Sequence, residues 1–197
     1  MFFYFIFEKN IFKMVQIVEA TFDDRKKAYN WLFNSDFSDF LIKLEGYTRD
    51  TLPSYEDFTG EYWDFFFDGS QPENGRCYKI IDNQNNEEVG FIYYMSFHTK
   101  EGVAEIDAWL KSLEYTGKGI GPSAINKLVE KLNKEMGFHT FFIRPAKENT
   151  RAVNSYKKAG FKETELIPEK YYKPEFIEEY RKSGYGEGKD IFLVKTV

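Results

Sequence analysis

Two carboxylates stand just ahead of a glycine loop. In the strand-like run Ala104 to Leu110, period-two alternation puts Glu105, Asp107 and Trp109 on one face and Ile106, Ala108 and Leu110 on the other. Acids on such a face are uncommon without a role or a partner. The loop follows as Gly117-Lys118-Gly119-Ile120-Gly121 and opens an amphipathic stretch. Glycines let backbone approach a ligand closely, and the unpaired N–H groups and dipole of a helix start favour negative charge. Together these features suit a place that holds phosphates beside a carboxylate able to accept a proton. Two plainer alternatives stay open: a tight strand-to-helix turn for the glycines, and an ion pair with Arg144 on the adjacent strand for Asp107.

The elements that must position these residues can be read from periodicity. Val15 to Ala20 reads as a strand, and Thr21 to Phe33 as a helix with Thr21 at its N-cap and Asp24 in its first turn. Ser35 to Glu45 reads as a short helix, and the aromatic, acidic stretch Tyr55 to Phe67 as another, stopped at Asp68-Gly69. Cys77 to Asp82 and Glu88 to His98 pair across the turn Asn83-Gln84-Asn85-Asn86. After the glycine loop, with Pro122 near the first helical position, Ile125, Leu128, Val129, Leu132 and Met136 form one apolar face, and Gly137 is the stop. His139 to Arg144 is an apolar run, hence a buried strand. Asn149 can cap a helix reaching Ala159, and Gly160 closes it. Phe161 to Ile167 and Ile191 to Val197 read as strands, with Pro168 to Gly186 between them as helix and loop.

Known nucleotide loops do not match. A Walker A loop needs Lys-Ser or Lys-Thr after its last glycine, and a Rossmann loop needs G-x-G-x-x-G with an acid closing the next strand; here the spacing is G-x-G-x-G and the next strand ends in Arg144. A second motif is more telling: Asn149-x-x-Ala152-x-x-x-Tyr156-x-Lys158-x-Gly160-Phe161. From Ala104 to Lys162 the two motifs together resemble the GNAT superfamily of acetyl-CoA-dependent N-acetyltransferases. The nearest likeness is to six-prime aminoglycoside N-acetyltransferases and related siderophore-type enzymes. That family's loop pattern, Q/R-x-x-G-x-G/A, is carried by Thr116 to Gly121, with Thr116 in place of the usual Gln or Arg.

The resemblance implies an α+β GNAT fold: a mixed, mostly antiparallel sheet flanked by helices and splayed between Ala104–Leu110 and His139–Arg144. It implies that acetyl-CoA, as co-substrate, lies in that cleft, and that a small-molecule amine enters from the opposite side. Thr116, Gly117, Lys118, Gly119, Ile120 and Gly121, with Pro122 and Ser123, would wrap the pyrophosphate. Backbone N–H groups near Trp109 and Leu110 would hold the pantetheine and polarise the acetyl carbonyl. Asp107 matches the acid that takes a proton from the acceptor ammonium, with Glu105 as the alternative. Tyr156 matches the tyrosine that returns a proton to the leaving thiolate, the alternative being core packing. Asn149 and Asn154 are candidate coenzyme contacts, Asn149 also as a helix cap. One departure concerns the acceptor. Aminoglycoside enzymes usually carry an acid where Arg144 stands, so Arg144 favours an acceptor with a carboxylate over a polycationic drug.

Composition bounds the rest. With 197 residues, 42% hydrophobic, 30% charged and 19% aromatic, the chain is globular and long enough for a full core. A net charge of −5 speaks against nucleic acid as a partner and suits cationic acceptors. The lone cysteine, Cys77, forms no disulfide within the chain and fits a reducing compartment, so a cytoplasmic location is expected. It lies in a strand-like stretch and is read as a buried hydrophobe, not a nucleophile. His98 and His139 lack companions at metal-ligand spacing, so no metal is expected. The apolar run Met1 to Phe7 is too short to span a bilayer and lacks signal-peptide features. Residues 1–13 are expected to be an N-terminal extension, with a strand that packs on the body as the equal alternative, and 14–197 the acetyltransferase domain, as monomer or homodimer.

Overall fold

Strand β1 (Val15–Glu19) is the first described element; the computed structural model describes residues 14–36, 38–39, 48–182 and 190–197. The expected extension 1–13, most of the expected helix Ser35 to Glu45 and the end of Pro168 to Gly186 lie outside these residues. Thr21 caps helix α1 (Phe22–Phe33), and its backbone N–H and hydroxyl both donate to Asp24 Oδ2, at 3.0 and 3.1 Å. The aromatic stretch is two helices, not the single one expected: α2 (Tyr55–Glu61) and α3 (Phe65–Asp68). The break at Tyr62–Asp64 is fixed by the buried Arg25. Its guanidinium donates to the carbonyls of Thr59 (2.9 Å) and Tyr62 and to Asp64 (2.6 Å).

Strands β2 (Gly75–Asp82), β3 (Glu87–Met95) and β4 (Val103–Leu110) form an antiparallel meander. Helix α4 (Ile120–Met136) leads to β5 (Thr140–Ile143), and α5 (Thr150–Lys158) to β6 (Lys162–Glu163). Helices α6 (Pro168–Tyr171) and α7 (Pro174–Lys182) precede β7 (Leu193–Thr196). Strands β6 and β7 are shorter than periodicity suggested. Pro122 is the third helical residue of α4, and Met136 is 39% exposed instead of facing the core.

Among the described residues the sheet runs β1-β2-β3-β4-β5-β7-β6, antiparallel at every step except the parallel pair β4–β5. One face carries α4, through Ile125, Leu128, Val129 and Leu132 packed with Ile80, Ile92, Tyr94 and Ile106. The other carries α1–α3 over an aromatic cluster that includes Phe58, Phe66, Phe91, Tyr93 and Trp109. Cys77 lies buried there, and burial pushes its thiol well above the ordinary range, which suits the packing role. No described helix is long and apolar enough to cross a membrane.

Candidate active site

The parallel pairing of β4 and β5 lasts three rungs, Val103–Thr140, Ala104–Phe141 and Glu105–Phe142. Beyond Glu105, β4 continues to Leu110 without β5 beside it, and the sheet opens. Strand alternation decides which backbone groups face this opening. Lys111 N–H donates to Val89 O at 2.9 Å, so odd-numbered N–H groups of β4 turn to β3 and even-numbered ones turn away. Ala108 N–H, accordingly, bonds not to β3 but to Asp107 Oδ1 at 2.7 Å. Leu110 N–H faces the opening. Trp109 N–H does not, because it points into the β3–β4 ladder, and its indole packs in the aromatic cluster.

A cleft of about 290 Å³ runs from this opening to the glycine loop. Ala108, Leu110 and Ile125 line its apolar part, and Thr116, Gly117, Gly119, Ile120, Gly121 and Pro122 form its loop end. Gly117 and Gly119 hold φ of +75° and +85°, a conformation that costs other residues strain. A Cβ on Gly121 would stand 2.9 Å from Ser155 Oγ, so the loop and α5 meet over a hydrogen atom. Ser123 is buried, its N–H spent on Gly119 O, and Lys118 is exposed with its ammonium 5.4 Å from the Tyr115 ring centre.

Helix α5 supplies the facing wall. Asn149 accepts from Ala152 N–H at 3.1 Å, so it caps the helix while bordering the cleft, and Asn154 lines the cleft from an exposed position. Arg151, Ser155 and Lys158 line it too and were not anticipated. With Asn154 they fall at i, i+3, i+4 and i+7, a polar stripe that helical spacing alone could have shown.

Tyr156 is buried but borders the cleft, and its hydroxyl makes no hydrogen bond to another described residue. Burial, and then the negative charge of Asp107, push its phenol well above the ordinary value. Asp107 is half-buried on the opposite face of β4, where its Oδ2 accepts from Tyr93 Oη at 3.4 Å. The structure thus brings Asp107 and Tyr156 within electrostatic reach across the splayed end of one strand.

Glu105 is differently placed. Its Oε1 accepts from Arg144 Nε at 2.9 Å and its Oε2 meets His98 Nε2 at 2.9 Å, with all three side chains buried. Arg144 therefore pairs with Glu105, not with Asp107. Burial opposes the Glu105 charge, but Arg144 and His98 outweigh it and hold the carboxyl below its usual value. Such a group adds stability that is complete above the ordinary glutamate range and is lost as pH falls through the lowered native value. We expect Arg144→Met to cost about 3–5 kcal/mol by stranding a buried charge, with Glu105→Gln/Arg144→Met recovering most of it. Thermal melting of the three proteins checks this. No group of three His, Cys, Asp or Glu among the described residues could hold a metal.

Comparison with known proteins agrees with this geometry. Residues 15–162 match the acetyltransferase (GNAT) domain. An uncharacterized N-acetyltransferase of Methanocaldococcus jannaschii is 33% identical over 137 residues, 67% of this chain and 59% of that protein. A kanamycin resistance protein of Rhizobium radiobacter is 36% identical over 63 residues, 32% of this chain and 58% of that protein. The chain thus spans less than two thirds of the length of these relatives. Among solved structures, the aminoglycoside acetyltransferase AAC(6')-Ib in an acetyl-CoA complex superposes with a TM-score of 0.66 at 22% identity, covering 93% of each chain, a likeness of fold. The match over residues 15–162, with the splayed parallel pair and the glycine loop at the start of α4, shows that the chain belongs to the GNAT acetyltransferase family.

Proposed function

We propose that the protein moves the acetyl group of acetyl-CoA to a primary amine of a small molecule, by direct transfer in a ternary complex. The observation that carries this is the cleft itself: it joins a glycine loop at a helix start to the open edge of β4, with Tyr156 on its wall. The loop from Thr116 to Gly121 suits the pyrophosphate, because its positive-φ glycines and the start of α4 leave N–H groups for an anion, while Pro122 and Ser123, which have no free N–H to give, continue the first turn beside it. Arg151, Lys158 and Lys118 add positive charge around that end. Leu110 N–H suits a carbonyl oxygen that gains negative charge during attack.

Bound acetyl-CoA supplies the thioester. Asp107 takes one proton from the acceptor ammonium, and the freed nitrogen lone pair forms the new C–N bond while the C–S bond breaks. Tyr156 gives its proton to the departing sulfur and recovers one from the nitrogen, so the second ammonium proton ends on the thiol. Cys77 is buried in the aromatic cluster away from the cleft lining, which supports transfer without a covalent enzyme intermediate. The buried, unpaired cysteine also suits the cytoplasm.

The preference for a carboxylate-bearing acceptor loses its ground, because Arg144 is taken up by Glu105. Aminoglycosides, polyamines and simple amines therefore belong in one screen, with thiol release as readout; release with none of them, at millimolar acetyl-CoA, rejects the reading. Binding has its own test. Acetyl-CoA at about 100 times its Kd adds roughly 2.7 kcal/mol, which raises Tm by about 5–10 °C for a chain of this size. Gly121→Val should abolish that shift, since its side chain crowds Ser155 and the loop, while the melting of the free protein stays cooperative.

A further inference from the structure

Asp107 does not stand alone on its face of the sheet. Tyr93 of β3 is its register partner across the antiparallel pair, so the two side chains lie side by side on the acceptor face. The Tyr93 hydroxyl donates its single proton to Asp107 Oδ2 at 3.4 Å. Its oxygen is then left to accept, and the Tyr62 hydroxyl lies 3.2 Å away. The chain therefore runs Tyr62 to Tyr93 to Asp107. Tyr62 is itself held from behind: its ring stacks on Phe58 with centroids 4.3 Å apart, meets Tyr93 and Trp109 edge-on, and its carbonyl accepts from Arg25. The helix break between α2 and α3 thus delivers a fixed hydroxyl two hydrogen bonds from the carboxylate, by way of Tyr93.

We propose that Tyr93, backed by Tyr62, is a positioning residue that sets the orientation and proton affinity of Asp107 as the base of acetyl transfer. This rests on the assignment of Asp107 as base. Neither phenol can do the base's work. Burial, then Asp107, raise Tyr62; burial, then Tyr62 and Asp107, raise Tyr93, so both stay neutral donors at physiological pH. The contact at 3.4 Å is long for a hydroxyl on a carboxylate, and catalytic hydrogen bonds commonly tighten only when substrates bind. Among the described residues, the groups that face Asp107 include Tyr93 from β3, Tyr62 from the α2–α3 corner, Tyr156 from α5, and Glu105 along β4, whose charge Arg144 and His98 oppose.

A donor to the charged form of a carboxylate lowers its pKa, so removing that donor raises it. The test titrates the Asp107 carboxyl carbon by NMR in protein labelled at aspartate, with Asp107→Asn identifying the signal. In Tyr93→Phe the titration should move upward by about 0.5–1 unit. Tyr62→Phe should move it less, in the same direction, and the double variant should match Tyr93→Phe alone, since Tyr62 acts only through Tyr93. The acid limb of kcat/KM for the amine should move with it, and KM for acetyl-CoA should not. An unmoved titration in a folded Tyr93→Phe, or additive effects in the double variant, overturns the proposal. Should Tyr93→Phe not fold, an unmoved titration in Tyr62→Phe, at the half-buried corner, does the same. The titration needs no acceptor, so it is decided separately from whether any amine is acetylated.

Discussion

Asp107→Asn should lower kcat/KM for amine acetylation by about 10²–10³-fold at pH 7 and regain most of it by pH 10. The size follows from the acceptor. An alkyl ammonium with a pKa near 10.4 is free base in only about one molecule in 10³ at neutral pH. A base that relieves this is worth at most about that factor, within the usual span for general base catalysis. Each unit of rising pH supplies tenfold more free amine without help, so the deficit of the variant shrinks in step until the acceptor is neutral. The measurement is a pH–rate profile of the variant beside the unaltered protein. A variant profile parallel to the original across that range removes Asp107 from proton transfer.

Tyr156→Phe lowers kcat by about 10²-fold, the low end of the range for losing a general acid. The low end applies because the leaving group is a thiol. With a pKa near 8.5, a thiolate departs tolerably well without protonation. Phenylalanine keeps the buried ring, so the thermal shift on acetyl-CoA addition should be unchanged. Unlike the Asp107 variant, this one should not recover at high pH, where free amine is not its shortage. Burial, and then Asp107's charge, hold the Tyr156 proton in place, so the proposed mechanism has the two groups work in sequence. In that mechanism, once Asp107 has taken the ammonium's proton its charge is gone, and Tyr156 would release its own more readily. Unchanged kcat in Tyr156→Phe would leave the ring as packing.

Much of this site was legible before the fold was known, and the parts that were not share a cause. Helix α4 was readable because two glycines in the left-handed conformation, Gly119 and Gly137, bracket an apolar face with its own period. The two faces of β4 were readable because a strand's alternation is strict. The partner of Arg144 was not. Glu105 and Asp107 share a face, so parity cannot choose between them; register and divergence do. Continued pairing beyond Glu105–Phe142 would have set Arg144 beside Asp107, but the strands part there and the guanidinium reaches back to Glu105. The Tyr62 hydroxyl was hidden for a similar reason. Its position depends on a helix break imposed by Arg25, far away in sequence. Pairings between distant segments follow from topology, which local pattern does not carry.

The parity of β4 has a consequence for how such a protein can change. Even-numbered residues give the cleft small or apolar side chains, Ala108 and Leu110, and the Leu110 main-chain N–H. Odd-numbered residues turn Asp107 and Trp109 to the other side. Under the proposed function, one strand would serve two ligands through separate sets of atoms. The coenzyme side depends largely on backbone, which substitution leaves in place, and the acceptor side on side chains, which substitution replaces. Selection for a new amine can therefore rewrite alternate letters of the same short segment without touching the donor site, and an existing activity becomes an inexpensive starting point for another.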